Sequence, residues 1–580
     1  MKQFLKITLA CTLGVFLASV ILLWMGVVMI AGIVGLSQNG SYQHRENSVL
    51  YLNLKGELAE RSKEELPDFL TGEVLSSPGL DDILKAIAVA RKDDNIKGIY
   101  IEANGLRAGY ASLGEIRQAL LDFKECGKFV LAYGDHYLQK EYYMATAADS
   151  VFLNPVGALD FRGLCSTPLF YKNALEKAGV NMQIFRVGTF KSAVEPYMST
   201  QMSAANREQT EVYLQSIWDC LLTEIGASRN LTAAALNAYA DSLPMLKRDS
   251  FALQAGLIDG LVYRPEMGQK LARLCGVARY EDVHLVSPAT LAAQPVPAQK
   301  SSDIIAVVYA CGEIDLSPRE GIHSRELVAE LDKIGRNENI KGVVVRVNSP
   351  GGSAFGSEQL WEAISRLKAQ KPVAVSMGDY AASGGYYLSC NADRIFADAT
   401  TLSGSIGIFG MVPDVSGLLT DKIGITFDEV KTNRYGNVPT FTRPMTTGEK
   451  ALMQGYIERG YDLFVKRCAE GRNLPVEEIC KVAEGRVWSG SEAVKQGLVD
   501  ELGTLDDAVN WVAGKAGTES YRREEFPAKK SFYEELLDEL TEYGSMKLHF
   551  RTGQDLYRQL LKQIGHFDPI QAWCEIGVID

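Results

Sequence analysis

The sequence predicts an α/β protein built twice in tandem from strand–helix–strand units, behind one apolar segment long enough to cross a bilayer. Three observations carry this. The chain repeats itself: "NIKGIYIEANG" at 95–105 returns as "NIKGVVVRVNS" at 339–349, and "YGDHYLQKEYYMATAADSVFLNP" at 133–155 returns as "MGDYAASGGYYLSCNADRIFADA" at 377–399. "QAGLIDGL" at 254–261 returns as "KQGLVDEL" at 495–502, all at a nearly constant offset of about 240 residues. Within each copy, short β-branched runs alternate with stretches of helical period. Finally, no charged residue lies between Ile7 and Leu36.

That first segment sets the expected compartment. A bilayer core takes roughly 20 apolar residues and a cleaved signal's apolar region only about 7–15, so 7–36 is expected to be a transmembrane anchor. Lys2 and Lys6 precede it, which places residues 1–6 on the cytoplasmic side and the rest across the membrane. In a bacterium with an outer membrane that is the periplasm. Few apolar residues precede Cys11, which argues against a lipoprotein. The net charge of -12, with no dense basic run, excludes a nucleic-acid partner. The ten cysteines form no C-x-x-C pair and no zinc spacing, so core packing is expected of them, with neither metal nor cofactor.

The first copy spans 37–283. The Pro-, Ala- and Ser-rich stretch 284–303 reads as a linker, and the second copy as 304–518. Val343–Val347 and Pro372–Met377 are apolar on both faces and are expected as buried strands, with a helix over Ser357–Leu367 between them. That order implies right-handed crossovers and mostly parallel sheets. Longer helices are expected over Asn206–Ile225 and Thr447–Glu470. Residues 519–580 read as a helical extension with amphipathic pieces at 531–543 and 555–564, without counterpart in the first copy.

Differences between the copies locate the chemistry. After a buried strand the second copy has "NSPGG" at 348–352, where the first has "NGLRA" at 104–108. The glycines Gly351 and Gly352 permit unusual backbone angles and close approach of a substrate carbonyl to main-chain N–H groups. Ser383 then follows a strand in "DYAASGGYY", opens a helix and precedes Gly384 and Gly385. A helix start favours a developing alkoxide, and the Gly384 N–H suits an oxyanion hole. The first copy has Gln139, Lys140 and Glu141 there, so a nucleophile belongs to the second copy alone. "SGG" by itself marks only a tight helix start. Its company, "NSPGG" one strand earlier and "LSGSIGIFG" at 402–410 one strand later, makes it a site.

A serine nucleophile needs a base. None of the six histidines lies in these glycine-rich loops, His136 and His323 being the nearest. A desolvated lysine is the other solution, requiring its pKa to fall by roughly three units from about 10.4. Lys191, in "FRVGTFKSAVEPYMS" at 185–199, has apolar or neutral neighbours, whereas the second copy carries "VKTNRYGNVPT" at 430–440, with Gly436 at roughly its place. Lys431 is the other lysine to consider.

These motifs resemble the signal peptide peptidase A (protease IV) family in its long, duplicated form. "RVNSPGGS" at 346–353, "ASGGYY" at 382–387, "LSGSIGIFG" and "FKSAVEPY" at 190–197 carry the resemblance, which covers the chain from the apolar segment to about Gly517. It implies a tandem crotonase/Clp-protease-like spiral fold with Ser383 as nucleophile and Lys191 as general base. By the same resemblance Ser405 orients the lysine, and Gly384 with Gly351 or Gly352 forms the oxyanion hole. Ser403 stands where the family more commonly has threonine. The resemblance further implies hydrophobic remnant signal peptides as substrates, a homotetramer, the inner membrane as location and no cofactor. Two rivals are an acyl-CoA enzyme of the same fold and a catalytically silent membrane-bound scaffold. The anchor weighs against the first, and the retention of the serine with both glycine motifs against the second.

Overall fold

The computed structural model describes residues 45–62, 79–248, 250–294, 301–317, 320–529 and 570–574, with isolated positions between 6 and 24. The expected anchor over 7–36 and the amphipathic pieces 531–543 and 555–564 therefore lie largely outside the described residues. Among the described residues no helix is long and apolar enough to cross a membrane.

The duplication is plain in three dimensions. The first copy folds around a six-stranded parallel sheet of β1 (Ser48–Glu57), β2 (Ile96–Arg107), β3 (Phe129–Tyr137), β4 (Ser150–Leu159), β6 (Gly260–Leu261) and β7 (His284–Val286), in the order β6-β4-β3-β2-β1-β7. The second sheet runs β15-β13-β11-β9-β8-β17, made of β8 (Ile304–Cys311), β9 (Ile340–Ser349), β11 (Val373–Ala382), β13 (Leu402–Gly404), β15 (Val487–Ser489) and β17 (Arg522–Phe526). Two short strands, β12 (Arg394–Ala397) and β16 (Glu501–Leu502), branch from β11. Apart from β13–β15 its pairings are parallel, as helical crossovers require. Val343, Val344, Val345 and Val347 are buried irrespective of the face they point to, because helices cover the sheet on both sides.

The helices repeat too. In the first copy α1 (Tyr110–Lys124), α2 (Gln139–Ala145) and α3 (Ala204–Arg229) correspond to α4 (Ala354–Lys368), α5 (Gly384–Ser389) and α6 (Thr447–Arg472) in the second. α3 and α6 each start on a hydroxyl cap, Ser203 or Thr446, and end on a left-handed asparagine, Asn230 or Asn473. Their last arginines make matching forks, Arg229 with Asp259 and Arg472 with Asp500. Buried Tyr142 and Tyr386 donate to matching carbonyls of Leu257 and Leu498.

Two boundaries differ from expectation. The segment read as a linker opens with β7, which pairs with β1, and continues as a helix, Pro288–Ala292, packed on the Leu80–Lys92 helix. Beyond the second copy, β17 extends its sheet and β18 (Ile570–Trp573) is a strand, not a helix.

A third sheet joins the copies. It runs β10-β18-β14-β5, from β10 (Gly351–Ser353), β18, β14 (Phe409–Asp414) and β5 (Asn181–Arg186). Its pairings are antiparallel, so β5 of the first copy is stitched to β14 of the second over six residues. Buried charge ties the copies together beneath it. Arg346 on β9, fully buried, donates to Glu60 and Glu115 of the first copy, and Ser112 at the start of α1 donates through N and Oγ to Asp379.

Candidate active site

Ser383 is the last residue before α5, with φ 54° and ψ -111°. A non-glycine residue in that region costs on the order of 1–3 kcal/mol and persists only where its surroundings impose it. Here β11 ends by pairing with β13, and the Ser383 N–H donates to the Gly404 carbonyl. Tyr387 N donates to the Ser383 carbonyl, starting the helix. The strain turns the hydroxyl out of the sheet and toward a lysine from the other copy.

Lys191 arrives there because β5 crosses to β14. The chain after β5 lies on residues 484–487 of the second copy: Phe190 N donates to the Glu484 carbonyl, and Gln209 of α3 bonds both Phe190 O and Val487 N. Gly485, at φ +81°, lets the lysine backbone approach, since a Cβ there would fall 2.6 Å from Lys191 Cα. Lys191 Nζ then sits 2.8 Å from Ser383 Oγ, 3.0 Å from Ser405 Oγ and 3.2 Å from the Ser405 carbonyl. No carboxylate contacts it among the described residues. Burial accordingly lowers its pKa to about 8, offset slightly by the Cys574 thiol. Ser405 is itself held at a left-handed φ of 51°, its N–H bonded to the Arg486 carbonyl.

The glycines converge on the same point. Gly351 has φ +105°, and a Cβ on it would lie 2.7 Å from Gly384 N. Its N–H donates to Ser349 Oγ and its carbonyl accepts from Ile314 N. Gly352 is packed against the Ile314 backbone and pairs with Ala572 of β18. Ser403 is buried and donates to the Ala381 carbonyl, a role a threonine hydroxyl can also play.

The first copy is built differently at the corresponding place. Glu141, two residues into α2, turns its carboxylate onto the N–H groups of Gly105 and Leu106, the loop corresponding to "NSPGG". The corresponding positions of the second copy are Ser349 and Pro350, and the proline has no N–H to offer. The other basic candidates lie elsewhere: Lys431 pairs with Glu429, and His136 accepts from Ala158 N. Gly436, the expected counterpart of Lys191, is in an exposed loop. Not anticipated from sequence were Gln209, the Glu484–Gly485 support, the Arg346–Glu60–Glu115 cluster and β18. The left-handed turn at "AEGR" (483–486) was the one local signal for any of them.

Comparison with known proteins places these features in a family. The model of peptidase family S49 matches residues 122–278 and 365–519, once in each copy. Protease 4 of Haemophilus influenzae is 36% identical over 571 residues, covering 94% of this chain and 91% of that protein. Protease 4 of Salmonella typhi is 35% identical, covering 82% and 77% respectively. The chloroplastic serine protease SPPA of Arabidopsis thaliana is 30% identical, covering 81% and 70%.

Proposed function

Because the chain belongs to peptidase family S49 and is a serine-type peptidase, we propose that Ser383 and Lys191 are its catalytic dyad and that it degrades remnant signal peptides at a bacterial inner membrane. The observation that carries the dyad is the 2.8 Å contact between a strained serine hydroxyl and a buried lysine without a carboxylate partner.

In this reading neutral Lys191 takes the Ser383 proton as Oγ attacks a peptide carbonyl. With its pKa at about 8, freeing the amine at pH 7 costs about 1.4 kcal/mol, against about 4.7 kcal/mol for an ordinary lysine. Ser405 accepts from Nζ and keeps its lone pair on the serine. The developing oxyanion is held by the Gly384 N–H beside the Gly351–Gly352 turn, where the Gly351 N–H is engaged by Ser349 Oγ. The protonated lysine then returns its proton to the leaving amine, and water, deprotonated by the same Nζ, hydrolyses the acyl-enzyme.

The apolar segment 7–36 supports an anchored enzyme with its site on the extracytoplasmic side, where tethering to the bilayer raises the local concentration of apolar peptides. A homotetramer follows the family resemblance. It would give a partner to the exposed apolar side chains Ile423, Ile425, Phe427, Val430, Leu452 and Tyr456. The test is digestion of a synthetic signal peptide in detergent micelles, followed by mass spectrometry. Wild type should fragment it, and Ser383→Ala and Lys191→Ala should not. Undiminished fragmentation by either variant would overturn the dyad.

A further inference from the structure

Ser383 and Lys191 are 0% and 1% exposed, so no substrate carbonyl can reach the hydroxyl in this arrangement. A peptidase must open to a chain, and the structure shows what fills the place. β18 lies between β10 and β14 and is antiparallel to both, as an extended peptide would be. Its Ala572 is completely buried against Gly352, with its carbonyl oxygen beside both Gly351 and Gly384. The next residues turn into the site: Cys574 N donates to the Pro350 carbonyl, and the Cys574 side chain is buried in the apolar cluster that includes Ala382, Leu402 and Tyr213. The thiol is close enough to Lys191 to act on its charge.

The strand nevertheless fits as a guest. It faces glycine backbone on β10, so its hold there is a three-residue ladder with no side-chain interlock from either glycine. Trp573 Nε1 is buried without an acceptor among the described residues.

We propose that β18 is an intramolecular occupant of the peptide-binding slot, seated in the resting chain and displaced when a substrate chain enters. The inference rests on Ser383 being the nucleophile. Tethering supplies an effective concentration on the order of millimolar, so even a weakly bound strand keeps the slot filled. Apolar peptides concentrated beside a membrane compete with it, whereas dilute peptides do not. Activity is thereby confined to places where extended, small-residue-bearing chains accumulate.

The experiment compares the rate of fluorophosphonate labelling in the full chain, in a chain ending at Pro569, and in Ala572→Arg, where the added side chain cannot be seated against Gly352. Labelling should accelerate at least fivefold in both altered forms, independently of protein concentration. A synthetic peptide of residues 568–580 should return the shortened chain to the full-length rate. Equal or slower labelling in an Ala572→Arg protein that melts like wild type overturns the occupant. A full-length rate that rises on dilution overturns its intramolecular nature. Absence of label in all three forms refutes the Ser383 assignment, and the occupant with it.

Discussion

Replacing Gly485 by alanine would perturb the dyad without touching either member. Gly485 lies in the left-handed region at φ +81°, and a Cβ built there would be 2.6 Å from both Lys191 Cα and Lys191 Cβ and 2.7 Å from Lys191 N. These are main-chain and stem atoms that cannot swing aside like a side-chain tip. Relief to an ordinary contact of about 3.4 Å requires the lysine segment to retreat by roughly 0.8 Å, and a misplacement near 1 Å in a catalytic constellation costs on the order of 100-fold in rate. The conformational cost of alanine at this φ is about 1–2 kcal/mol, small enough for a large domain to remain folded. Phe190, just before the lysine, is pinned through its N–H on the Glu484 carbonyl and its carbonyl on Gln209, so the displacement falls on Lys191 itself and moves Nζ away from Ser383. The expected result is a kcat about 100-fold lower on a quenched peptide, with the circular dichroism spectrum retained. A kcat within threefold of wild type would refute the claim that this close approach positions the base.

Three further outcomes are expected. Ser405→Ala removes one Nζ hydrogen-bond partner and leaves the Ser405 carbonyl, so kcat should fall about tenfold, equivalent to about 1.4 kcal/mol, with KM little changed; a loss confined to KM would contradict the orienting role. Arg346→Met leaves the buried carboxylates of Glu60 and Glu115 unpaired and should destabilise the protein by about 3–5 kcal/mol at neutral pH, read from urea unfolding. Part of that loss should be recovered on acidification, because Glu115, held up near pKa 7 by burial even with the arginine present, then becomes neutral; a deficit independent of pH would contradict this.

Much of this architecture was legible because the copies check one another. Paired segments such as 95–105 and 339–349 became corresponding strands β2 and β9, and the long helices appeared where their period placed them. Ser383 was legible because its requirements are local: a strand end, a tight turn and small neighbours within a few residues. Lys191 was harder, since its burial depends on β5 crossing to β14, an antiparallel pairing between residues more than 200 apart that no local period encodes. Glu60 and Arg346 each sit in unremarkable sequence and gain meaning only when the two copies close on each other. β18 escaped for a related reason: four residues that add to an edge of glycine backbone carry little pattern of their own. The segment 284–292 was misread because its composition is that of a linker, while a three-residue strand needs only a free neighbour, which β1 offers.

The central claim is that a buried lysine from one copy activates a serine from the other. The rate of fluorophosphonate labelling, followed by peptide mapping across pH 6 to 10, tests it most directly. Only the neutral amine can accept the proton, so labelling of wild type should be confined to Ser383. Its rate should rise with pH to a plateau, inflecting near the lysine pKa of about 8. Lys191→Met should remain essentially unlabelled throughout. Modification mapping to a residue other than Ser383, or a Lys191→Met rate matching that of wild type, would contradict the account.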